Sequence, residues 1–245
     1  MDQKTVVIAL APALVVLSFF AHWITLVKIE TAEHRLPLCR GAYLAFSVQL
    51  SLYGWIVFTA FGTGGAASVL LPLGMSFSTL GDIFNLQFGP ICRRLGQPIL
   101  YGILSFMAAQ LCYIGAFVTM VPFSALASDG HLYPLLAALI VAPAILFKFR
   151  VYNPLRPKNI MRGAFVYGFI LGAMAAVALS AAFLKGGYWY AVAAGAIFFL
   201  LSDAIMGETT IHGRHPRYEY QHPWITYLAA QGLILFGAAA MMVQV

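Results

Sequence analysis

The chain has 245 residues, of which 62% are hydrophobic and only 9% are charged, and its formal net charge is +6. Soluble globular proteins carry about 25% charged residues, so this composition excludes a water-soluble enzyme or soluble binding module. It indicates a polytopic membrane protein whose functional site is built from helix faces and helix ends.

Apolar segments of about 20 residues, the length needed to cross the hydrocarbon core of a bilayer, follow one another along almost the whole sequence. They predict eight transmembrane helices, near residues 5–27, 39–61, 65–87, 99–121, 132–149, 162–184, 187–207 and 223–243. The connections are too short for a second domain, so we expect an all-α bundle forming a single transmembrane domain over residues 1–245. The first segment is too long for a signal-peptide core, and we interpret it as a retained helix.

Basic residues are concentrated in every second connection between the predicted helices. The other connections and the termini contain only Lys4 and Lys185. By the positive-inside rule, the basic connections are cytoplasmic and both termini lie on the opposite side. A bacterial inner membrane is the expected location, and an organellar membrane is the alternative. The net positive charge is therefore a topology signal with affinity for anionic lipid headgroups, and it gives no reason to expect nucleic acid as a partner.

Two aspartates lie inside the apolar segments, Asp82 within 65–87 and Asp203 within 187–207. A carboxylate at this depth costs several kcal/mol unless it is paired or lies in a wet cavity, so it indicates a functional site. The alternative is that each aspartate makes one hydrogen bond that packs two helices. Both helices run toward the cytoplasm in the predicted topology, and both aspartates lie about one to one and a half turns from that end. We therefore expect the two carboxyl groups at the same depth.

Further polar residues recur at helical spacing on three of the predicted helices. They are Ser78, Asp82 and Asn85 on one helix, Gln110 and Tyr113 on the next, and Tyr227 and Gln231 on the last. Such spacing places each set on one helix face. Because amide and phenol groups at membrane depth need partners, we expect these faces to surround a common cavity.

Several of these positions are related by one constant offset. The aligned pairs are Asp82 with Asp203, Gln110 with Gln231, and Arg93 with Arg214, and both glutamines end an Ala-Ala-Gln triplet. The offset favours an internal repeat, 1–121 and 122–245, with parallel four-helix halves related by an axis along the membrane normal. Ala-Ala pairs are common in this composition, so a chance match is the alternative.

The connection 207–222 contains three histidines and two glutamates, residue types that bind zinc. However, His212 and His215 are separated by only two residues in a segment interrupted by Gly and Pro, and they lack the i, i+4 spacing of a helical zinc pair. We therefore expect a loop that faces lipid headgroups, with no metal and no other cofactor. A zinc site in this loop is the alternative.

Four motifs carry a family resemblance. They are Ser78-Thr79-Leu80-Gly81-Asp82-Ile83-Phe84, Phe106-Met107-Ala108-Ala109-Gln110-Leu111-Cys112-Tyr113, Phe198-Phe199-Leu200-Leu201-Ser202-Asp203 and Thr226-Tyr227-Leu228-Ala229-Ala230-Gln231. Together they resemble the YhhN-type family of membrane lysoplasmalogenases, and Leu36-Pro37-Leu38 also looks similar. In one departure, Gln110 stands where many relatives have His, and a Gln side chain hydrogen-bonds but does not titrate.

The resemblance implies hydrolysis of the vinyl ether bond of a lysoplasmalogen, which yields a fatty aldehyde and a glycerophospho-headgroup. Protonation of the alkene carbon creates an oxocarbenium-like cation that water captures, so one protonated and one ionised carboxyl group are needed, as in glycoside hydrolysis. Asp82 and Asp203 are the implied pair, with acid and base roles unassigned. Candidates to orient them and the attacking water are Ser78, Asn85, Gln110, Tyr113, Ser202, Tyr227 and Gln231.

The implied substrate is a lysophospholipid with one chain and a polar head, so we expect an apolar slot that ends near the cytoplasmic interface. The candidates for binding its phosphate are Arg93, Arg94, Arg214 and Arg217. The alternative is that these arginines only enforce topology.

Two other classes of function fit the same residues. A proton-coupled transporter uses intramembrane aspartates as proton relays, and parallel repeats occur in carriers. A zinc-dependent lipid amidase or lipid-sensing receptor would use the histidines of 207–222. Oligomeric state stays open, because the small-residue spacing of Gly168 and Gly172 suits packing within one chain or between chains.

Overall fold

The computed structural model describes residues 36–62, 64–88, 92, 94–214 and 221–243. Within these residues the chain is all-helical and contains no strand. The helices are α1 Leu36–Phe61, α2 Ala67–Asn85, α3 Pro98–Met120, α4 Phe123–Ser128, α5 Leu132–Leu146, α6 Lys158–Lys185, α7 Trp189–Met206 and α8 Gln221–Val243. Two π-helical turns extend this set, Phe147–Val151 after α5 and Gly207–His212 after α7.

Seven of the described helices are long and apolar enough to cross a membrane, so the chain is a multi-pass integral membrane protein. They correspond to the last seven predicted spans, which confirms the predicted all-α polytopic fold. The first predicted span, 5–27, lies outside the described residues. The orientation of the termini and the bacterial location stay predictions.

The short helix α4 was not predicted, and its position follows from Pro122. The residue before a proline is disfavoured in the helical region, and Val121 accordingly has extended backbone angles of φ −129° and ψ 106°. Helix α3 therefore ends at Met120, and α4 begins directly after the proline.

The core is formed by two closely packed helix pairs, α2 with α3 and α7 with α8. Helix α6 packs against α3, α5 and α7, whereas α1 packs against α2 and α8. Helix α5 lies at the edge of this arrangement, with apolar side chains such as Val141 and Ile145 exposed. The two close pairs are those that the predicted internal repeat would relate, and the repeat itself stays a prediction.

The contact between α5 and α6 depends on Gly172. A Cβ atom added at Gly172 would lie 1.8 Å from the carbonyl oxygen of Leu139, so the two backbones touch at this point. One turn away, a Cβ atom at Gly168 would lie 3.4 Å from Cβ of Pro143. These two glycines therefore pack helices within one chain.

Candidate active site

Asp82 on α2 and Asp203 on α7 line the same small cavity, which has an empty volume of about 250 Å³. Each aspartate lies about one turn before its α-helix ends, at Asn85 and Met206 respectively. The structure therefore brings the two carboxyl groups to one partly open space near the same end of the bundle. The remaining walls of this space, which we call the acid cavity, are Asn85, Phe106, Ser202, Met206, Pro223, Trp224 and Tyr227.

Two hydroxyl groups from other helices donate to one oxygen of Asp82. The Ser47 Oγ on α1 donates to Oδ2 at 2.5 Å, and the Tyr227 hydroxyl on α8 donates to the same atom at 2.7 Å. The Thr79 hydroxyl donates to the Ser47 carbonyl at 3.1 Å and so ties α1 to α2 beside the aspartate. Asp82, which is 4% exposed, is held in one orientation by hydroxyl groups from two other helices.

Asp203 is held by a different phenol. The Tyr167 hydroxyl on α6 donates to Oδ2 of Asp203. Phe106 belongs to the hydrophobic core and also lines the acid cavity, and its ring meets those of Phe199 and Tyr227 edge to face, with centroids 6.2 Å and 6.1 Å away. The two carboxyl groups thus have separate sets of hydrogen-bond donors although they share a cavity.

A larger, mostly apolar pocket adjoins the acid cavity. It has an empty volume of about 790 Å³, open space included, and lies between α3, α5, α6 and α7. Its apolar walls include Ile103, Pro143, Leu146, Leu171 and Leu200. Residues that line both spaces are Asn85, Phe106, Asp203 and Met206. A chain in the larger pocket, which we call the slot, would therefore contact Asp203 directly.

The other predicted orienting residues lie at different distances from the carboxyl groups. Asn85 and Tyr227 line the acid cavity, as does Ser202, whose hydroxyl donates to the Pro223 carbonyl at 2.9 Å and links α7 to α8. Tyr113 donates to Oε1 of Gln231 at 2.7 Å, joining α3 to α8 within the core.

Ser78 and Gln110 are fully buried. Among the described residues, their side-chain oxygen and nitrogen atoms have no hydrogen-bond partner. Neither side chain therefore hydrogen-bonds to Asp82 or Asp203.

The predicted phosphate-binding arginines are only partly within the described residues. Arg93 and Arg217 lie outside them, and Arg94 is exposed. Arg214 donates to Oε1 of Glu208 at 3.1 Å, and Arg150, which was not predicted, donates to the same atom at 2.9 Å.

Sequence reasoning did not identify Ser47, Thr79 or Tyr167. Tyr167 had a weak signal, since it is one of few residues able to hydrogen-bond in the very apolar segment 162–184. Ser47 and Thr79 had none that distinguishes them from other hydroxyl residues in transmembrane helices. Their role depends on contacts between helices, which spacing along one helix does not reveal.

No group of three or more His, Cys, Asp or Glu side chains among the described residues could hold a metal ion. His212 is described, and its Nδ1 lies 3.0 Å from the Tyr152 carbonyl oxygen. Residues 215–220 of the histidine-containing connection lie outside the described residues, so the zinc alternative is not tested.

The fold and the acid cavity define a multi-pass membrane protein with two intramembrane aspartates in a common site. A profile of the YhhN family matches residues 42–238, which include both aspartates and all of α2 to α7, and the chain belongs to that family. The match confirms the resemblance carried by the four sequence motifs. Comparisons with curated proteins and with solved structures found no match.

Proposed function

We propose that this protein is a lysoplasmalogenase, a hydrolase that cleaves the vinyl ether bond of a single-chain alkenyl phospholipid. The observation that supports the proposal is that Asp82 and Asp203 line one small cavity, which shares four lining residues with an apolar slot. Membership of the YhhN family is consistent with this reaction. A lipid chain in the slot would thus reach Asp203, and water in the acid cavity would contact both carboxyl groups.

The reaction needs one acid and one base. The acid protonates the alkene carbon that is not bonded to oxygen, which leaves an oxocarbenium ion on the other carbon. The base takes a proton from water as its oxygen attacks that cation, and a hemiacetal forms. Collapse of the hemiacetal breaks the bond between carbon and the glycerol oxygen, releasing a fatty aldehyde and a glycerophospho-headgroup. One water is consumed, and the carboxyl groups return to their starting states by exchanging protons with the intermediate.

The different surroundings of the two aspartates support different roles. Asp203 lines both the slot and the acid cavity, whereas Asp82 lines the acid cavity. Protonation of the alkene requires contact with the lipid chain, so we assign Asp203 as the acid. Activation of water requires a small polar space, so we assign Asp82 as the base, held by Ser47 and Tyr227. Fixed donors of this kind avoid reorganisation during the reaction.

The decisive experiment measures aldehyde release from 1-alkenyl lysophospholipid by the detergent-purified protein. The ester-linked lysophospholipid is the substrate control, and a parallel sample contains a chelator. We expect aldehyde from the alkenyl lipid alone, with or without chelator. No aldehyde from folded protein across several headgroups would contradict the proposal, and flux into sealed vesicles would then test transport.

The catalytic pair is tested with Asp82→Asn and Asp203→Asn. Positioned general acids and bases contribute about 10²- to 10⁴-fold to rates, so each variant is expected to lose at least about a hundredfold in kcat. Asp129→Asn is the matched control, because Asp129 follows α4 and pairs with His131 away from both cavities. Full activity of either catalytic variant would exclude the proposed pair.

A further inference from the structure

The two π-helical turns meet at one end of the slot. Turns Phe147–Val151 and Gly207–His212 pack against each other, and a Cβ atom added at Gly207 would lie 2.8 Å from Cγ2 of Val151. Both turns line the slot, and they end the two candidate membrane spans that contain them. π-helical turns are rare in α-helical segments, and those that occur are often found at functional sites. This end of the slot therefore lies at the depth where a lipid headgroup begins.

Arg150 and Glu208 lie in these two turns, each next to a residue that lines the slot, and one carboxylate oxygen of Glu208 holds two guanidinium groups. Oε1 of Glu208 accepts from Nη1 of Arg150 at 2.9 Å and from Nη1 of Arg214 at 3.1 Å. The side chains of both arginines are about half exposed, at 54% and 51%. Ion pairs with this exposure contribute little to stability. The three charges sum to a net positive charge, and each guanidinium has further N–H groups with which to bind an anion.

A third arginine in the same region has a different role. Arg156 donates to the carbonyl oxygens of Thr210 at 2.8 Å and Ile211 at 3.1 Å. Asn153 donates to the carbonyl oxygens of Ile211 and His212 at 3.2 Å and 3.0 Å. These contacts satisfy carbonyl groups that a helix end leaves unpaired. Arg156 thus fixes the turn that carries Glu208, while Arg150 and Arg214 remain directed at the carboxylate.

The distance between Asp203 and Glu208 along the span Trp189–His212 fits a glycerophospholipid. Glu208 follows Asp203 by five residues, which corresponds to roughly 7 Å along a helix. In a 1-alkenyl lysophospholipid, five covalent bonds separate the vinyl ether oxygen from phosphorus, a reach of roughly 6 Å when extended. A lipid with its vinyl ether at Asp203 would therefore place its phosphate at the depth of Glu208, whose neighbour Gly207 lines the slot.

We propose that Arg150 and Arg214 form a phosphate-binding site at the end of the slot, which selects phosphorylated single-chain lipids over lipids without phosphate. The site rests on the proposed function for the placement of the lipid, and it adds a substrate-selecting element outside the acid cavity. Glu208 holds the two guanidinium groups together in the absence of substrate. The phosphate then takes N–H donors of both arginines.

Binding of a saturated ether lipid tests this site without any dependence on hydrolysis. The probes are 1-O-hexadecylglycerol 3-phosphate and 1-O-hexadecylglycerol, neither of which has an alkene to protonate. Calorimetric titration of the full chain in detergent is expected to show at least about tenfold tighter binding of the phosphorylated ether, as charge-assisted hydrogen bonds imply. Inorganic phosphate alone is expected to bind far more weakly. Equal binding of inorganic phosphate and the lipid would overturn a lipid headgroup site.

Variants separate a phosphate site from a structural ion pair. Arg150→Gln and Arg214→Gln are each expected to weaken binding of the phosphorylated ether by about tenfold or more and to leave hexadecylglycerol unchanged. Lys148→Gln is the matched control, because Lys148 lies in the same turn with its ammonium 5.7 Å from the Phe149 ring centroid. Glu208→Gln breaks the same ion pairs but keeps both cations, so it is expected to retain or tighten phosphate binding.

Glu208→Gln and the two arginine variants are thus expected to change the affinity for the phosphorylated ether in different ways, and this difference tests the proposal. A purely structural ion pair predicts that Glu208→Gln weakens binding as Arg150→Gln does, and that result would overturn the site. Wild-type affinity in both arginine variants, or equal weakening for the two ether lipids, would also overturn it. Because the probes are not substrates, loss of aldehyde release with intact selective binding would contradict only the proposed reaction.

Discussion

Tyr227 on the last helix donates its phenolic hydrogen to Asp82 on α2 at 2.7 Å, across a separation of 145 residues in sequence. Asp82 also accepts from Ser47 on α1, so the position of this carboxyl group depends on three helices at once. Helix α8 packs against α1 and α7, and through them its phenol is held at the acid cavity. The proposed base is therefore oriented by the assembled bundle rather than by its own helix.

Removal of either donor to Asp82 is expected to slow the proposed reaction. Tyr227→Phe and Ser47→Ala should each lower kcat for aldehyde release by about tenfold or more, because one hydrogen bond to a charged group is worth roughly 1.5–3 kcal/mol. The double variant should lose less than the product of the two effects, since both donors act on one oxygen. Steady-state kinetics with 1-alkenyl lysophospholipid measures this coupling.

Ser180→Ala is the matched control for this pair. Its hydroxyl is fully buried and has no hydrogen-bond partner among the described residues, so the substitution removes the same atom type without touching Asp82. We expect unchanged kinetics in this variant. Wild-type kcat in both Ser47→Ala and Tyr227→Phe would show that neither hydroxyl positions the base.

The Tyr167 hydroxyl is expected to position Asp203, the proposed acid, as the Ser47 and Tyr227 hydroxyls position Asp82. It donates to Asp203 and lines the slot, so Tyr167→Phe leaves the ring in place and removes the donor. The expected result is a fall in kcat of roughly tenfold or more with a smaller change in KM, because the apolar contact with the lipid chain is kept.

Tyr53→Phe provides the comparison for Tyr167→Phe. The Tyr53 hydroxyl is buried and without a hydrogen-bond partner among the described residues, so its removal should not lower activity. A KM increase in Tyr167→Phe at constant kcat would indicate that Tyr167 binds the lipid and does not position Asp203.

Hydropathy was sufficient to predict the seven long helices that the structure describes, because the hydrocarbon core imposes both a length and an apolar composition on each span. The predicted segments 65–87 and 99–121 match α2 and α3 to within a few residues. Short α4 was missed, since six residues carry no span signal and its start depends on the backbone restriction at Pro122. The first predicted span lies outside the described residues.

The sequence predicted only those features of the site that depend on residue spacing along a single helix. Spacing placed Asp82 and Asn85 on one face, and the structure shows that both line the acid cavity. Spacing did not reveal that Ser47 and Tyr167 point at the carboxyl groups, because those contacts join different helices. It also did not distinguish Arg156, which caps carbonyl groups, from Arg150, which pairs with Glu208.

Loss of the cap made by Arg156 is expected to destabilise the end of α7. Arg156→Gln removes hydrogen bonds from a charged donor to the carbonyl groups of Thr210 and Ile211, and we expect a loss of about 1.5–3 kcal/mol in the free energy of unfolding. The midpoint of thermal unfolding in detergent should fall. Arg162→Gln is the control, since Arg162 is exposed on α6, and an equal fall in both variants would contradict the capping role.

The close approach of α5 and α6 gives a test of the slot wall. Gly172→Ala places a methyl group where the Leu139 carbonyl oxygen lies 1.8 Å away, so α5 must shift. Overpacking of this kind costs about 1–3 kcal/mol, and the thermal midpoint should fall accordingly. Because α5 supplies Pro143 and Leu146 to the slot, the variant should also change the preference among alkenyl chain lengths.

Gly232→Ala is the matched substitution on α8, where an added Cβ atom meets nothing within 4 Å. Alanine in an open helical position should stabilise the protein by about 0.5–1 kcal/mol through reduced backbone entropy of the unfolded chain. The two glycine variants are thus expected to move the thermal midpoint in opposite directions. Equal stability of Gly172→Ala and wild type, with unchanged chain-length preference, would show that the backbone contact between α5 and α6 does not hold the wall of the slot.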